Sequence, residues 1–194
     1  MNKYFFTALL SLLLVMPANL LNAQKPDPVD YSDVKIFGAG LSLGYSYGLI
    51  GTRSLSIPPL MAYFEIGVHE YFTIGPFGGF SRWNYKQPGW NYSWNFIHGG
   101  ARASFHYTDI LNELLDFELD AREFDLYVTL MTGLEFRRYS SNHSGFSGYY
   151  DDDIRFFIGP ILGFRYNFSD NMGLFVEGGR GALGALSFGL SFTF

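Results

Sequence analysis

Ser187-Phe188-Gly189-Leu190-Ser191-Phe192-Thr193-Phe194 closes the chain and decides its fold. In an extended conformation the three phenylalanines and Leu190 fall on one side, and the glycine and hydroxyl residues fall on the other. A strand on the surface of a water-soluble sheet would carry charged residues on the face opposite its apolar one. An apolar face backed by small residues is instead typical of a strand that faces lipid outward and a crowded polar lumen inward.

The same period of two recurs along the chain and predicts about eight strands, with tight turns at Glu70-Tyr71 and over 169–171. We therefore predict an all-β fold, a closed antiparallel transmembrane β-barrel of eight strands in up-and-down meander order. The segment 109–122 (DILNELLDFELDAR) has helical composition, and it fits a short interfacial helix or an extension of two strands equally well. The predicted strands cover 36–47, 60–69, 72–80, 97–107, 126–136, 156–168, 173–178 and 187–194, and the longer loops cover 48–59, 82–94 and 139–153.

The amino-acid composition argues against several kinds of binding and catalytic site. The 194 residues include 21 Phe, 14 Tyr and 23 Gly, no Cys, and a formal net charge of -5. This acidic balance argues against a nucleic-acid partner. Without cysteine there is no disulfide framework, thiolate metal site or catalytic thiol. We predict no metal site and no cofactor.

The amino terminus has the pattern of an export signal. A positive start at Lys3 precedes an apolar run and a small residue, Ala23, which predicts a cleaved Sec-type signal peptide over 1–23. The apolar run is shorter than the roughly 20 residues that a membrane-spanning helix needs. The predicted organisation is a signal peptide over 1–23, a periplasmic lead-in over 24–34 and a barrel domain over 35–194.

The ending Ser187-x-Gly189-x-x-Phe192-x-Phe194 resembles the C-terminal β-signal by which the outer-membrane assembly machinery recognises barrel precursors. With the predicted strands, the chain resembles the small outer-membrane β-barrel family of the OmpX, OmpW and OmpA-barrel type. The resemblance implies that Gly189, Phe192 and Phe194 serve as the assembly signal. It also implies a Gram-negative outer membrane, and as partners the barrel assembly machinery, periplasmic chaperones, outer-membrane lipids and lipopolysaccharide. A soluble periplasmic β-sandwich is the alternative.

The polar faces of the predicted strands define a candidate site in the lumen. Opposite charges that meet inside a narrow barrel form either a packed network of ion pairs or a gated pore whose pairs rearrange. Both interpretations use one set of residues: Glu65, His98, Arg102, His106, Glu135, Arg165 and Glu177.

Two further constellations have chemical interest. Ser104, His106 and Glu135 have the residue types of an acyl-transfer site, but we interpret them as ordinary polar groups of the lumen, since no nucleophile-elbow sequence surrounds Ser104. An aromatic segment predicted as a loop would bind a surface partner or form part of the interfacial girdle, and comprises Trp83, Tyr85, Trp90, Tyr92 and Trp94. Asp151-Asp152-Asp153 lacks the spacing of a dedicated calcium loop.

The functional expectation is an outer-membrane barrel without enzymatic activity, whose external loops mediate surface interaction or envelope integrity. The alternatives are a narrow porin-like channel for small solutes and, third, a lipid A-modifying enzyme. No motif in the sequence identifies an extracellular ligand.

Overall fold

Eight antiparallel strands and one short helix make up the described chain. The computed structural model describes residues 28–43, 55–87, 90–116, 118–141, 153–179 and 185–194. The strands are β1 (Lys35–Leu43), β2 (Leu55–His69), β3 (Phe72–Gln87), β4 (Trp90–His106), β5 (Phe124–Ser141), β6 (Asp153–Ser169), β7 (Met172–Gly179) and β8 (Leu186–Thr193), and helix α1 (Thr108–Leu115) joins β4 to β5.

The strands pair in chain order and the sheet closes on itself. At the closing seam β1 runs antiparallel to β8, from Ile36 opposite Thr193 to Leu43 opposite Leu186. Beyond the seam, the main chains of Lys35 and Phe194 exchange two hydrogen bonds, of 3.2 and 2.9 Å. The predicted fold, a closed eight-stranded antiparallel barrel with meander order, is confirmed.

Burial alternates along the strands as the sequence predicts. In β8 the side chains of Ser187 and Ser191 are buried, whereas Phe188 and Leu190 are 39% and 42% exposed on the outer surface. The outer surface carries an apolar band that continues around the barrel, in which every strand takes part. Its members include Phe37, Phe64, Ile66, Phe72, Ile74, Ile97, Val128, Leu130, Leu134, Phe156, Leu162, Leu174 and Val176.

The strands β2 to β6 extend further than the sequence predicts at the end away from the termini. The predicted loop over 82–94 is wrong, because β3 and β4 pair continuously from Phe72 opposite Phe105 to Gln87 opposite Trp90. The aromatic residues of this segment alternate with Asn, Ser and Lys, which is itself a strand pattern. The predicted loop over 48–59 is likewise too long, because β2 begins at Leu55 and includes Pro58 and Pro59.

The described strands differ in length. Strands β3 to β6 have 16 to 18 residues, whereas the described parts of β1, β7 and β8 have nine, eight and eight. We call the far end of β3 to β6 the tall rim, and the opposite end, where β1 begins and β8 ends, the termini end. Pro160 lies one residue before Ile161, the first residue of β6 that pairs with the described part of β7. The described part of β7 thus requires no hydrogen-bond donor from Pro160.

The connections at the termini end are compact. Two-residue turns join β2 to β3 and β6 to β7, as predicted. The segment 109–122, for which helix and strand remained open, contains most of α1. The helix ends where Asp116 takes a left-handed conformation with φ of 51°. Among the described residues no helix is long and apolar enough to cross a membrane. The signal-peptide prediction over 1–23 and the acidic residues Asp151 and Asp152 lie outside the described residues.

Candidate functional site

The guanidinium group of Arg102 is the centre of the buried lumen. Its Nε donates to Glu65 Oε1 at 2.9 Å, and its Nη2 donates to Glu177 Oε1 at 2.7 Å. The cation also lies 3.8 Å from the centroid of the Tyr63 ring. Arg102, Glu65 and Glu177 are all but inaccessible to solvent. One arginine on β4 therefore links strands β2 and β7 across the full width of the barrel.

Hydroxyl groups also bind one oxygen of each carboxylate. Ser104 donates to Glu65 Oε1, and Tyr127 donates to Glu177 Oε1 at 2.9 Å. Thr129 accepts from Arg102 Nη2 at 3.3 Å and lies 2.7 Å from Ser104 Oγ. The second oxygen of each carboxylate and Arg102 Nη1 are buried without a hydrogen-bond partner among the described residues. The Arg102 cluster is thus a buried polar network that is only partly satisfied by hydrogen bonds.

A second charged cluster lies nearer the termini end and is centred on Asp125. Arg165 Nη1 donates to Asp125 Oδ2 at 2.6 Å, and His106 Nδ1 lies 2.8 Å from Asp125 Oδ1. On the other side of the imidazole, His106 Nε2 lies 3.1 Å from Thr73 Oγ1. The guanidinium of Arg165 is 5.0 Å from the ring centroid of Tyr127, which joins this cluster to the first.

The lead-in closes the termini end of the lumen. Tyr31 is buried and stacks on the imidazole of His106, with ring centroids 3.9 Å apart and planes inclined by 14°. Its main chain donates to Glu70 O at 3.1 Å, and Gly67 N donates to Val34 O at 2.7 Å. Burial raises the pKa of the Tyr31 phenol well above its usual range, and the nearby Asp125 carboxylate raises it further.

Five of the seven residues predicted for the lumen lie in these two clusters, and the other two lie closer to the tall rim. The structure brings Glu65, Arg102 and Glu177 into one cluster, and it places His106 and Arg165 in the adjoining cluster. Glu135 lies closer to the tall rim and pairs with Arg137 of its own strand. His98, opposite Glu135 in the β4 and β5 register, is buried beside Phe77, and its Nδ1 has no hydrogen-bond partner among the described residues.

Ser104, His106 and Glu135 do not form the acyl-transfer arrangement that their residue types would allow. Ser104 is bound to Glu65 and Thr129, His106 to Asp125 and Thr73, and Glu135 to Arg137. Thr73, His106 and Asp125 are joined by hydrogen bonds in the order of nucleophile, base and acid in a catalytic triad. Thr73 is fully buried, however, and Tyr31 covers the imidazole. The geometry therefore holds side chains in place and offers no approach to a substrate.

The aromatic residues predicted in a loop lie on paired strands at the tall rim. Trp83 is opposite Trp94, and Tyr85 is opposite Tyr92. Trp94 shares the inward parity of Phe96, which is buried, and its ring centroid is 4.9 Å from that of Tyr139. Trp83 and Trp94 thus line the inside of the rim, and the interpretation of these two residues as a lipid-facing girdle is wrong.

Sequence reasoning missed several members of the two clusters. Asp125 precedes the position where alternation first becomes evident, and Tyr63, Thr73, Tyr127 and Thr129 are neutral residues whose parity alone marks them as inward. Tyr31 lies outside any alternating segment, so no sequence pattern indicates that it enters the barrel. Among the described residues no group of three or more His, Asp or Glu side chains could hold a metal ion.

Comparisons with known proteins bear on the architecture only. No protein-family model matches the chain, and no curated protein matches it. Solved structures resemble it at low identity. Ail, the attachment invasion locus protein of Yersinia pestis, is 12% identical, with 86% of this chain and 99% of that chain covered and a TM-score of 0.43.

Two proteins of Pseudomonas aeruginosa give similar values. The N-terminal β-barrel domain of OprF is 14% identical, with 85% and 99% of the two chains covered and a TM-score of 0.45. The outer membrane protein OprG is 10% identical, with 86% and 98% covered and a TM-score of 0.45. The class of the protein is defined by its own topology, a closed meander of eight antiparallel strands with an apolar outer surface. Its interior combines the ion-pair clusters with a group of buried apolar side chains that includes Met61, Phe77 and Met131. This is the architecture of the small eight-stranded outer-membrane β-barrels.

Proposed function

We propose that this protein is an outer-membrane β-barrel without enzymatic activity, with a sealed lumen and a tall rim that contacts partners at the cell surface. The observation that carries the proposal is the buried ion-pair network. Arg102 and Arg165 bind carboxylates from β2, β5 and β7, and these side chains fill the barrel at mid-height. An eight-stranded barrel has an interior that its own side chains can fill. In this arrangement the side chains in the lumen hold the strands together, and no ions or solutes pass through the barrel.

The apolar outer band supports a location in a bilayer. Large apolar side chains exposed in such number would make a water-soluble barrel aggregate, whereas lipid chains satisfy them. A closed barrel also leaves no unpaired strand edge within the hydrocarbon region. The proposal includes three predictions from the sequence: the protein is exported by a signal peptide, lies in the outer membrane and contacts lipopolysaccharide.

The tall rim supports a role in surface interaction. A transmembrane strand needs about nine to eleven residues, so strands of 16 to 18 residues project well beyond the hydrocarbon region. The inner side of the projection carries Trp94, Phe96 and Tyr139, with the Arg137 guanidinium 5.9 Å from the Phe96 ring centroid. Phe96 is buried, but Trp94 and Tyr139 are partly exposed, and such rings beside a cation offer contact area with little loss of side-chain freedom.

A heat-modifiability gel and planar-bilayer recording test the proposal together. The refolded protein should migrate differently before and after boiling and should show no conductance steps. Arg102→Gln, which weakens the plug, serves as the comparison. Steady conductance by the wild type would favour the narrow channel, and equal migration of boiled and unboiled samples would contradict the membrane barrel. Mass spectrometry of lipid A incubated with the protein should show no change, since the buried Thr73 and Ser104 are inaccessible.

A further inference from the structure

Helix α1 turns its polar side toward the protein and leaves apolar residues exposed. Thr108 and Asn112 are buried, and Thr108 accepts from Leu126 N at 2.7 Å while Asn112 bonds the main chain of Leu119 twice. Leu114 and Leu115 are 73% and 56% exposed. A surface helix of a water-soluble protein normally has the opposite arrangement.

The apolar residues of α1 lie along one flank, where Leu114 and Leu115 are exposed and Ile110 and Leu111 are half-buried. Ile110, Leu111, Leu114 and Leu115 follow the spacing that places residues along one side of a helix. The acidic residues Asp109, Glu113 and Asp116 occupy the other flank, with the buried seam of Thr108 and Asn112 between the two. The helix thus separates an apolar flank from an acidic one along the end of the barrel.

Helix α1 begins close to the apolar band of the barrel. Helix α1 begins two residues after His106, the last residue of β4. The rings of Phe72, Phe105 and Tyr107 form a chain at this level, with centroid distances of 4.9 and 6.4 Å. Aromatic rings at the edge of an apolar band are typical of the boundary between acyl chains and headgroups. The helix therefore begins at that boundary.

The acidic flank is held toward the mouth of the barrel. Asp109 Oδ2 accepts from Val29 N at 2.9 Å, which ties the helix to the lead-in, and burial raises the pKa of this carboxyl. The last turn of the helix contains no basic residue. A zwitterionic phospholipid surface fits this charge distribution better than an anionic one.

We propose that α1 is an interfacial helix that docks on the phospholipid leaflet at the termini end, with Leu114 and Leu115 inserted among the upper acyl chains. The inference rests on the proposed function, which places the barrel in a bilayer. It adds a second lipid contact, made by a helix and distinct from the strands, which fixes the depth of this end of the barrel.

Site-directed spin labelling tests the contact, and the absence of cysteine from the chain allows single labels at chosen positions. Full-length protein in phosphatidylcholine vesicles would carry a nitroxide at Leu114→Cys, Leu115→Cys or Glu113→Cys. Accessibility to oxygen and to a polar nickel chelate gives the depth of each label. We expect the ratio of oxygen to nickel accessibility to be several-fold higher at 114 and 115 than at 113, because only the leucine flank is in lipid.

A label at Leu130→Cys, on the exposed outer face of β5, separates the two proposals. A lipid-exposed label at 130 with water-exposed labels at 114 and 115 would overturn the helix inference and leave the barrel intact. A water-exposed label at 130 would overturn the proposed location itself. Dipolar broadening at 114 that vanishes on dilution with unlabelled protein would show that a second copy covers the flank, which also contradicts the inference.

Discussion

Arg102 forms ion pairs with two buried carboxylates. It neutralises Glu65 and Glu177, which lie on opposite walls of the lumen, and no solvent reaches any of the three. Removing one member of a buried ion pair leaves the other charge uncompensated, which costs about 3–5 kcal/mol. Both carboxylates would lose their cation if Arg102 were replaced.

We therefore expect Arg102→Met to lower the free energy of unfolding by at least about 3 kcal/mol. Urea unfolding of the protein refolded in detergent micelles measures this change. Adding Glu65→Gln and Glu177→Gln should restore part of the loss, because neutral amides need no counter-charge. Arg82→Gln is the matched control, since Arg82 is exposed and donates a hydrogen bond of 3.2 Å to the exposed side of its own strand, at Asn84 Oδ1. An equal loss from both arginines would contradict the importance of the network.

The contact between Tyr31 and His106 should depend on pH. The phenol has a raised pKa in the folded protein, so the folded state favours its neutral form. The stabilisation is therefore complete below the ordinary tyrosine pKa of about 10 and is lost as the pH rises above that value. We expect a spin label at Ser32→Cys to become mobile at strongly alkaline pH in the wild-type background. Tyr31→Phe removes this titration, and an unchanged alkaline step in that variant would refute the prediction.

Residue parity alone predicted much of the lumen. Glu65, Arg102, Arg165 and Glu177 could be assigned to the interior because each interrupts an apolar strand at an inward position. Parity does not give height along the barrel, however, so Glu135 and His98 were grouped with residues several positions away. The pairing of Asp125 with Arg165 depends on the β5 and β6 register, which the sequence does not specify.

At the level of strands, alternation located each element but underestimated its length. The apolar alternation ends where a strand leaves lipid, whereas the hydrogen-bonded ladder of β3 and β4 continues to Gln87 and Trp90. Outside the hydrocarbon region a strand no longer needs an apolar face, so the signal disappears while the strand persists. Leu55 and Pro58 were assigned to a loop for a different reason, because two adjacent prolines cannot donate to a strand ladder and so indicate a break in it.

The closing seam is sensitive to side-chain volume at Gly189. A Cβ atom there would lie 2.1 Å from Ala39 O and 2.5 Å from Gly40 Cα, both main-chain atoms that cannot rotate away. We expect Gly189→Ala to cost about 1–3 kcal/mol of unfolding free energy through backbone displacement. Unfolding in micelles, without the assembly machinery, isolates this effect from the predicted assembly signal.

Gly78→Ala is the control for the seam variant. Its added methyl would meet only His98 O, at 3.7 Å, which is an ordinary contact. This variant should unfold close to the wild type. A similar loss at both glycines would show that the effect comes from the strands in general rather than from the close approach of β1 and β8.

For the whole molecule, closure was predictable because every predicted strand carries one apolar face, and a barrel with such an outer surface leaves no strand edge open to lipid. The length of β3 to β6 was not predictable, since their ladders continue beyond the apolar band. The orientation follows from the proposed function, in which the tall rim lies outside the cell and the termini end faces the periplasm.

Labelling of intact cells tests this orientation. Ser140 is exposed near the end of β5 at the tall rim, and Asp170 is exposed in the turn between β6 and β7. A membrane-impermeant maleimide should modify Ser140→Cys in intact cells and reach Asp170→Cys only after the envelope is opened. The reverse pattern would place the termini end outside.

The strand lengths also bear on the surrounding lipid in the proposed location. Eight residues of a strand tilted by about 40° span roughly 20 Å, less than the apolar band of about 25 Å typical of such barrels. The described parts of β7 and β8 alone are therefore shorter than this band, whereas β3 to β6 are longer. In the bilayer of the proposed function, a shortfall in apolar height on one side of a barrel is met by thinner lipid there or by a tilt of the barrel axis.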